Sequence, residues 1–483
     1  MTRSFRYSDI LLLFALVACQ TEDFPAPEPL LPIPSKAQFT WHEMEMNAFV
    51  HFTINTFTDK EWGYGDEPAE LFNPSAADVG QWIDVFKEVG FNGVILTCKH
   101  HDGFCIWPST HTEHCVKNSP YKNGKGDIVK EVADACIRQD MRFGVYLSPW
   151  DRNHAGYGTP EYVTYYRNQL KELFTNYGPI FEMWFDGANG GDGYYGGANE
   201  TRRINGATYY NWPATLTLVR NLNPDVIFFS DAGPGVRWVG NERGIAGETN
   251  WNIITPDTLY AGKESIEGLL NSGSEDGTHW IPAETDVSIR PGWFYHEHED
   301  SKVKTSEELF DIYLTSVGRG STLLLNIPPD KRGMIHENDV AALRGLRELL
   351  DREFKTNLAA GATVTASEVR GKDTCYSPDK MLDGDKETYW ALDDEVTTGS
   401  FEIKMDGERT VKYILLQEYI RIGQRVKAFH IEAYVNRNWQ HIVDGTTIGY
   451  KRIFRIDLVK TERVRVTITD ARACPVIAEV AVY

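Results

Sequence analysis

Short apolar segments that alternate with longer amphipathic ones constrain the fold of this chain more than any other feature. The apolar segments are nearly continuous, which indicates parallel strands that helices cover on both faces. The predicted strands are 48–53, 93–97, 143–148, 181–185, 226–230 and 322–326, and the predicted helices are 76–88, 128–139, 160–177, 212–222 and 306–316. Repeated strand–helix units of this kind predict an α/β architecture.

The number of these units predicts how the sheet closes. About six units over roughly 300 residues fit a (β/α)8-like barrel, at 36–352, better than an open sheet. No GxGxxG motif follows the first strand, which argues against a dinucleotide-binding sheet. The stretch 233–285 is irregular and does not define the last strands. From 353 to 483 the pattern changes to short alternating strands separated by turn residues, which predicts an all-β sandwich (jelly roll) domain.

The N-terminus carries an export signal. Two arginines precede an apolar run at 10–17 that is too short to span a bilayer and fits a secretory signal. The run ends in Leu-Val-Ala-Cys, which resembles a bacterial lipobox with Cys19 as the lipidated residue. We therefore expect a lipoprotein signal peptide at 1–19, a stiff Pro-rich tether at 20–35, and a membrane-anchored periplasmic or cell-surface protein. An ordinary signal peptide is the alternative.

Net charge and cysteine spacing argue against several kinds of binding partner and metal site. The net charge is −20, from 49 basic and 69 acidic residues, which argues against nucleic acid or an anionic lipid surface as the main partner. No CxxC pair occurs among the other six cysteines, so a structural zinc cluster is not expected. Export allows a disulfide between Cys375 and Cys474, and free buried thiols are the alternative.

Polar and aromatic side chains follow the ends of the predicted strands. The carboxyl ends of parallel strands meet at one face of a barrel. The residues at these ends are His51, Asn55, Glu61, Trp62, Lys99, His100, His101, Asp102, Tyr146, Ser148, Trp150, Asp151, Asp186, Trp238, Glu242, Glu284 and Asp286. Imidazoles and carboxylates bond hydroxyl groups and indoles stack on C–H faces, so such a face suits a small polar ligand with an apolar side.

A metal site at the histidines is the minor alternative. His51, His100, His101 and Asp102 are metal-ligand types. Neighbours in an extended strand point to opposite sides, so His100 and His101 cannot both be ligands without a bulge. We therefore expect no metal and no cofactor in catalysis. A serine nucleophile is also disfavoured, since no Gly-x-Ser-x-Gly occurs.

Two carboxylates at a sugar-shaped site indicate glycoside hydrolysis. Asp186 would attack the anomeric carbon, and a second carboxylic acid with a raised pKa would protonate the leaving oxygen. Glu242 is the candidate acid, and Glu248 and Glu284 are competitors that spacing does not separate. A carboxylate that caps the following loop is the alternative for Asp186. Tyr194 and Tyr195 in that loop either contact a second sugar or face solvent.

Five stretches give the chain a resemblance to the α-L-fucosidases of glycoside hydrolase family 29. They are 49–57 (FVHFTINTF), 99–104 (KHHDGF), 144–151 (GVYLSPWD), 184–191 (WFDGANGG) and 324–330 (LLNIPPD). The family implies a retaining mechanism, a (β/α)8-like barrel and no catalytic metal. Its nucleophile is the Asp of the Trp-Phe-Asp-Gly stretch, here Asp186. Its strand-end histidines bind fucose hydroxyls, here His51, His100 and His101, and we add Glu61, Trp62, Tyr146 and Trp184 as expected substrate-binding residues.

A finer resemblance concerns the linkage. The stretch 237–242 (RWVGNE) is similar to the subgroup that removes branched α-1,3 and α-1,4 fucose, as in Lewis-type glycans, whose acid/base is here Glu242. Arg243 stands where that subgroup has a small residue, and its charge would lower the pKa of Glu242 unless it points away. The stretch 280–293 also matches, and implies that Trp293 lines the fucose pocket while Glu284 and Asp286 organise it.

The C-terminal region resembles a galactose-binding-like, F5/8 type C (discoidin) domain through 381–390 (MLDGDKETYW). Such domains often hold a structural Ca2+ and sometimes bind sugar, although we expect this one chiefly to buttress the barrel. The resulting hypothesis is a retaining exo-α-L-fucosidase acting on a fucosylated oligosaccharide or glycoconjugate. The alternatives are a carbohydrate-binding surface lipoprotein with little catalysis and a barrel hydrolase for another sugar.

Overall fold

The structure is a computed structural model that describes residues 24–483. The predicted signal peptide at 1–19, with Cys19, and the first residues of the predicted tether lie outside this range. Within the range, no helix combines the length and the apolar character needed to cross a bilayer.

Eight parallel strands close into a barrel. The strands of the first 354 residues are β1 (Met46–Val50), β2 (Gly93–Lys99), β3 (Arg142–Leu147), β4 (Ile180–Trp184), β5 (Gly190–Gly193), β6 (Glu200–Arg203), β7 (Ile227–Ser230), β8 (Val236–Trp238), β9 (Ile253–Ile254), β10 (His279–Trp280), β11 (Ala283–Ser288) and β12 (Thr322–Asn326). The barrel order is β1-β12-β11-β8-β7-β4-β3-β2, and each neighbouring pair is parallel. The predicted (β/α)8-like barrel is thereby confirmed.

Helices connect many of these strands. They are α1 (Lys36–Met44), α2 (Asn55–Thr58), α3 (Val79–Val89), α4 (Ile128–Arg138), α5 (Pro160–Asn176), α6 (Trp212–Leu222), α7 (Glu267–Ser272), α8 (Ser306–Thr315) and α9 (Glu337–Phe354). Local chemistry fixes their ends: the Asp78 carboxylate accepts the Gln81 N–H at 3.1 Å and starts α3, and Gly90 stops it with a left-handed φ of 98°.

The irregular stretch of the sequence holds four strands that the pattern did not locate. β8 to β11 lie between 236 and 288, and the described chain passes from β7 to β8 without an intervening helix. β11 reads Ala-Glu-Thr-Asp-Val-Ser and is buried at every position. The hydrophobic pattern did not predict this core strand, because the pattern detects strands of apolar residues and β11 contains two buried carboxylates.

The C-terminal region is the predicted all-β domain. Its strands are β13 (Thr363–Ala366), β14 (Trp390–Ala391), β15 (Gly399–Glu418), β16 (Val426–Val435), β17 (Asn438–Gly445), β18 (Arg452–Ala471) and β19 (Val476–Val482), and they pair antiparallel in the order β14-β19-β15-β18-β16-β17, with β13 on β15. The pattern predicted short strands, whereas β15 and β18 are each 20 residues long. Cys474 is a buried thiol whose Sγ lies 3.2 Å from Arg425 Nη1.

This domain packs directly on the barrel. The Gln424 side-chain amide accepts the Asn252 N–H at 2.8 Å and donates to the Asn250 carbonyl at 2.9 Å. Phe354, at the end of α9, packs its ring 5.2 Å from the rings of Tyr413 and Tyr483. Buried hydrogen bonds and shared aromatic packing therefore hold the two parts together.

The described part of the predicted tether is attached to the C-terminal domain rather than standing clear of it. Arg370 donates to the Pro25 carbonyl at 2.7 Å, and Arg425 donates to the Glu28 carbonyl at 2.6 Å. The Leu30 N–H bonds to the Ile422 carbonyl at 2.9 Å. A prolyl segment has few N–H groups of its own, so its free carbonyls suit the two buried arginines.

Candidate active site

An aromatic floor closes the barrel beneath the carboxyl ends of its strands. Trp184 stacks on Phe229, with ring centroids 4.0 Å apart and planes 6° apart, and packs 5.1 Å from Phe49 and 5.3 Å from Tyr146. The Trp184 indole N–H donates to Glu284 Oε1 at 3.0 Å. Close aromatic packing and one buried hydrogen bond therefore fix the Trp184 ring at the base of this face. Trp184, predicted to bind substrate, belongs to this floor.

Three buried histidines stand on the floor. The ring centroids of His100 and His101 are 4.0 Å apart, and those of His51 and His100 are 5.7 Å apart. His51 Nδ1 pairs with Asn326 Oδ1 at 2.8 Å, and His101 Nδ1 pairs with Ser148 Oγ at 2.7 Å. The adjacent His100 and His101 both reach the cluster because the β2–β3 pairing shifts register between Thr97 and Lys99 and the chain turns at His101.

Burial keeps these imidazoles uncharged. Desolvation lowers the pKa of His51 and of His101 to about 4 and that of His100 well below its ordinary value. At neutral pH each ring therefore has one N–H donor and one lone-pair acceptor. That combination matches sugar hydroxyls, which both donate and accept, better than it matches an anion.

Asp186 lies two residues beyond β4 and faces the histidines. The Tyr146 hydroxyl donates to Asp186 Oδ2 at 3.0 Å, and His101 Nε2 lies 3.9 Å from the same oxygen. The other oxygen accepts the Ala188 N–H at 2.6 Å, so the loop-capping interpretation also holds for that oxygen. The side chain is 23% exposed, which leaves the carboxylate accessible to a ligand above the floor.

Of the three candidates for the acid role, Glu242 is the one that the structure brings to the site. Glu242 is exposed to solvent at the rim of the site, and partial desolvation there raises the pKa of its carboxyl; Trp293 lowers this pKa, and the charges of Asp186 and Glu61 raise it further. Arg243 is exposed and does not figure among these influences, and its N–H bonds to Asn241 Oδ1 at 3.1 Å. The net direction is therefore upward although a guanidinium is the neighbour in sequence.

The other two candidates lie elsewhere. Glu248 is 78% exposed and pairs with Arg319, and its backbone carbonyl accepts from Arg452 of the C-terminal domain at 2.9 Å. Glu284 is fully buried below the Trp184 indole, and desolvation and the charge of Glu182 raise the pKa of its carboxyl. Glu248 therefore lies beside the C-terminal domain, and Glu284 lies inside the barrel below the floor. Asp286 is also buried, and accepts the Trp238 indole N–H at 2.8 Å.

Glu61 joins two loops at the edge of the site. Its carboxylate accepts the backbone N–H groups of Trp293 and Phe294 at 2.8 and 3.2 Å. Trp62, the next residue, is 53% exposed and packs edge-on against His101, with ring centroids 5.2 Å apart. Trp293 packs 5.3 Å from His51. Both predicted tryptophans therefore border the histidine cluster, while Glu61 holds their loops.

Other predicted strand-end residues have structural positions. Lys99 is buried against Asp151 and Gln169, at 3.1 and 3.0 Å. Tyr195 is buried and accepts the Trp150 indole N–H at 2.9 Å, so it cannot contact a second sugar. Asp102 accepts the Phe104 N–H at 2.7 Å.

Three residues at the site were missed in the sequence. Asn326 orients His51 and lies inside a motif stretch, whereas Ser148, which orients His101, was already among the predicted strand-end residues. His296 bonds Glu61 Oε1 at 2.7 Å, and a histidine in the segment after the Trp293 motif was its signal. Asp231 follows β7, and its carboxylate lies directly against the backbone of Gly187. A Cβ at position 187 would collide with Asp231 Oδ2, so this close approach requires a glycine.

One group of potential metal ligands lies at the edge of the site. Among residues 24–483, the side chains with mutual ligand spacing are Asp59, His296 and His298, at the edge of the site rather than at the histidine cluster. The hydrogen bond of 2.6 Å between Asp59 Oδ1 and His296 Nδ1 accounts for their proximity.

Comparison with known proteins identifies the family. The alpha-L-fucosidase family model matches residues 26–353, and the F5/8 type C domain model matches residues 363–480. Alpha-L-fucosidase 1 of Arabidopsis thaliana is 38% identical over 488 residues, covering 100% of this chain and 94% of that protein.

Solved structures of similar proteins give the same family assignment. A GH29 fucosidase of Ruminococcus gnavus in complex with fucose is 36% identical with a TM-score of 0.86, covering 96% of this chain and 97% of that one. A glycoside hydrolase 29 family member from an unknown rumen bacterium is 45% identical with a TM-score of 0.85, covering 95% and 78% of the two chains. The chain therefore belongs to the α-L-fucosidases of glycoside hydrolase family 29 and carries a C-terminal F5/8 type C domain.

Proposed function

We propose that this α-L-fucosidase is a retaining exo-enzyme that removes α-1,3- or α-1,4-linked fucose from branched, Lewis-type glycans, with Asp186 as nucleophile and Glu242 as acid/base. The observation that carries the proposal is the geometry of Asp186. Its carboxylate is fixed by Tyr146 and Ala188 and faces three uncharged histidines above a tryptophan floor. Family 29 glycosidases require no cofactor, so these side chains supply the chemistry.

Fucose binding uses the uncharged histidines. His51, His100 and His101 exchange hydrogen bonds with the sugar hydroxyls, and Asn326 and Ser148 fix which nitrogen of His51 and of His101 faces the pocket. The exposed Trp62 and the half-buried Trp293 supply apolar surface for the C–H faces and the methyl group of the 6-deoxy sugar. Relative to an ion-binding site, this pocket selects a neutral, hydroxylated and partly apolar ligand.

The first chemical step forms a covalent glycosyl-enzyme. An Asp186 carboxylate oxygen attacks the anomeric carbon, and the glycosidic C–O bond breaks with its electron pair moving to the leaving oxygen. Glu242 gives its proton to that oxygen. Its raised pKa keeps this proton available above the ordinary range of a glutamic acid.

The second step reverses the roles. Water attacks the anomeric carbon and transfers a proton to the Glu242 carboxylate, and Asp186 leaves as a free carboxylate. Tyr146, which donates to Asp186 Oδ2, stabilises the charge that reappears there. Two displacements give fucose with retained anomeric configuration.

A linkage panel tests the proposal. The purified protein is incubated with oligosaccharides carrying α-1,2, α-1,3, α-1,4 or α-1,6 fucose and with the corresponding galactosides, beside an Asp186→Ala variant. We expect fucose from the α-1,3 and α-1,4 substrates, and a loss of turnover by orders of magnitude in a variant that keeps its circular dichroism spectrum and unfolding midpoint. Preferred release from α-1,2 or α-1,6 linkages would refute the specificity, and near-normal turnover of the variant would refute the nucleophile.

The proposal includes a location. The lipobox-like Leu-Val-Ala-Cys supports acylation of Cys19 and attachment to a bacterial membrane, on the periplasmic or cell-surface side. Metabolic labelling with a palmitate analogue should mark the wild type and not Cys19→Ser. Equal labelling of both would remove the anchor from the proposal.

The C-terminal domain has a site whose donors suit Ca2+. Thr388 Oγ1 lies 2.9 Å from Asp383 Oδ2, 3.0 Å from the Asp385 carbonyl and 3.4 Å from the Lys380 carbonyl. An all-oxygen cluster is the chemistry that Ca2+ prefers, and these residues would tie two turns together around it. Ca2+ should raise the thermal unfolding midpoint of the wild type after chelation and leave that of Thr388→Val unchanged; the same shift in both would exclude this site.

A further inference from the structure

A second layer of side chains behind the sugar pocket connects the loops of its two indoles, the exposed Trp62 and the half-buried Trp293. His296 is buried, and its two ring nitrogens each meet a carboxylate: Nδ1 lies 2.6 Å from Asp59 Oδ1 and Nε2 lies 2.7 Å from Glu61 Oε1. Asp59 and Glu61 both belong to the loop that carries Trp62, whereas His296 belongs to the loop that carries Trp293. The histidine therefore fastens one wall of the pocket to the other.

Glu61 transmits this attachment to the second wall. Besides His296, its carboxylate accepts the Trp293 and Phe294 N–H groups, so three donors fix it. A Cβ at Gly292 would lie 2.5 Å from Glu61 Oε1 and 3.1 Å from the His296 ring, so close approach at this point requires a glycine.

The fastened segment also touches the sugar-binding groups. The Trp293 ring packs against His51, with ring centroids 5.3 Å apart. The Trp293 carbonyl accepts from Asn326 Nδ2 at 2.8 Å, and Asn326 in turn orients His51. A shift of the Trp293 loop would therefore displace both a sugar-binding wall and a sugar-binding histidine.

We propose that His296 is a positioning residue, which, held between Asp59 and Glu61, fixes the Trp62 and Trp293 walls relative to each other and thereby sets the affinity of the pocket for fucose. It contacts no reacting atom. The inference rests on the proposed function, since it assigns fucose to the space between the two walls. Its expected signature is a loss of binding that is the same in the ground state and in the transition state.

The test compares His296→Gln with His298→Gln in the full chain. Glutamine can donate to one of the two carboxylates but cannot bridge both, whereas His298 is an exposed histidine two residues along the same loop that makes no bond to Glu61. Kinetics are measured with 4-nitrophenyl α-L-fucoside. Fucose affinity is measured separately, by calorimetry and by tryptophan fluorescence.

We expect His296→Gln to raise KM and the fucose Kd together by about tenfold, the equivalent of one charge-assisted hydrogen bond, with kcat within about threefold of wild type. His298→Gln should change neither constant. Unchanged fucose affinity in His296→Gln would overturn the proposal, as would a fall in kcat at constant KM. Equal losses in the two variants would also overturn it, in favour of a chelate shared by Asp59, His296 and His298.

A second variant covers the case in which His296→Gln fails to fold. Asp59→Asn keeps the bond to Glu61 and weakens only the outer one, so a rise in KM of about threefold is expected in the same direction. No change there would count against the proposal. A wild type that binds fucose but releases none from any linkage would refute the proposed function while the binding measurement still decides the role of His296.

Discussion

Replacement of Glu242 by alanine separates the acid/base from every other carboxyl of the barrel. The pKa of this group is raised by partial desolvation and by the charges of Asp186 and Glu61, so near neutral pH it holds a proton longer than an ordinary glutamic acid. General acid catalysis is worth about 10²- to 10⁴-fold in rate, which corresponds to about 3–5 kcal/mol of transition-state stabilisation. The full loss applies only where the leaving oxygen needs a proton.

The expected result depends on the leaving group. For a Lewis trisaccharide, whose leaving sugar is a poor leaving group, kcat/KM of Glu242→Ala should fall by about 10²- to 10⁴-fold. For an aryl fucoside with an activated phenol, glycosylation should be nearly unaffected, and deglycosylation should become limiting because no base activates the water. Azide, which needs no base, should restore turnover and give a fucosyl azide of retained configuration.

The pH dependence of kcat/KM tests the assignment of Glu242 independently. The acid must be protonated, so wild-type kcat/KM falls as pH rises through the raised pKa of Glu242, and this alkaline limb should vanish in Glu242→Ala. Glu248→Ala is the matched control, because that carboxyl is 78% exposed and lies against the C-terminal domain. Azide rescue in Glu248→Ala or Glu284→Ala but not in Glu242→Ala would refute the reasoning.

Two further predictions concern stability. Lys99→Met should lower the free energy of unfolding by about 3–5 kcal/mol in urea titrations, because it leaves the buried Asp151 carboxylate without its cation; Lys130→Met, which breaks an exposed pair with Asp134 on α4, should cost no more than about 0.5 kcal/mol, and similar losses would contradict the burial argument. Burial raises the pKa of Glu182 to about 8, so the folded state holds a proton that the unfolded state releases near the ordinary carboxyl pKa. The stability from this proton is complete at low pH and is lost, at up to about 1.4 kcal/mol per pH unit, as pH rises towards 8. Glu182→Gln should flatten that slope in unfolding curves at pH 5 to 9, and an unchanged slope would assign it to other groups.

The motif stretches predicted more of the site than the hydrophobic pattern did. His51, His100, His101 and Asp186 meet as expected, because each follows a parallel strand and those strands all end at one face of the barrel. The alternation rule allowed His100 and His101 on the same side only with a bulge, and the β2–β3 register shift between Thr97 and Lys99 is such an irregularity.

Spacing could not rank Glu242, Glu248 and Glu284, because they lie within about forty residues of an irregular stretch. Three-dimensional position separates them: the charge of Asp186 acts on the Glu242 carboxyl, Glu248 pairs with Arg319 beside the C-terminal domain, and Glu284 is buried under Trp184. The attachment of the Pro-rich segment to Arg370 and Arg425 was also invisible, since its partners are more than 300 residues away in sequence.

By itself, the sequence determined the parallel barrel, the all-β domain after it, the family and the residues that converge on Asp186. Apolar periodicity and the residues at strand ends are local features, so they can be recognised from the sequence alone. Only the tertiary structure decided which glutamate shares the pocket, which charges are balanced inside the barrel, and that His296 joins the two tryptophan walls through Glu61. Those properties depend on burial and on distances between residues remote in the chain, and no spacing along the sequence contains them.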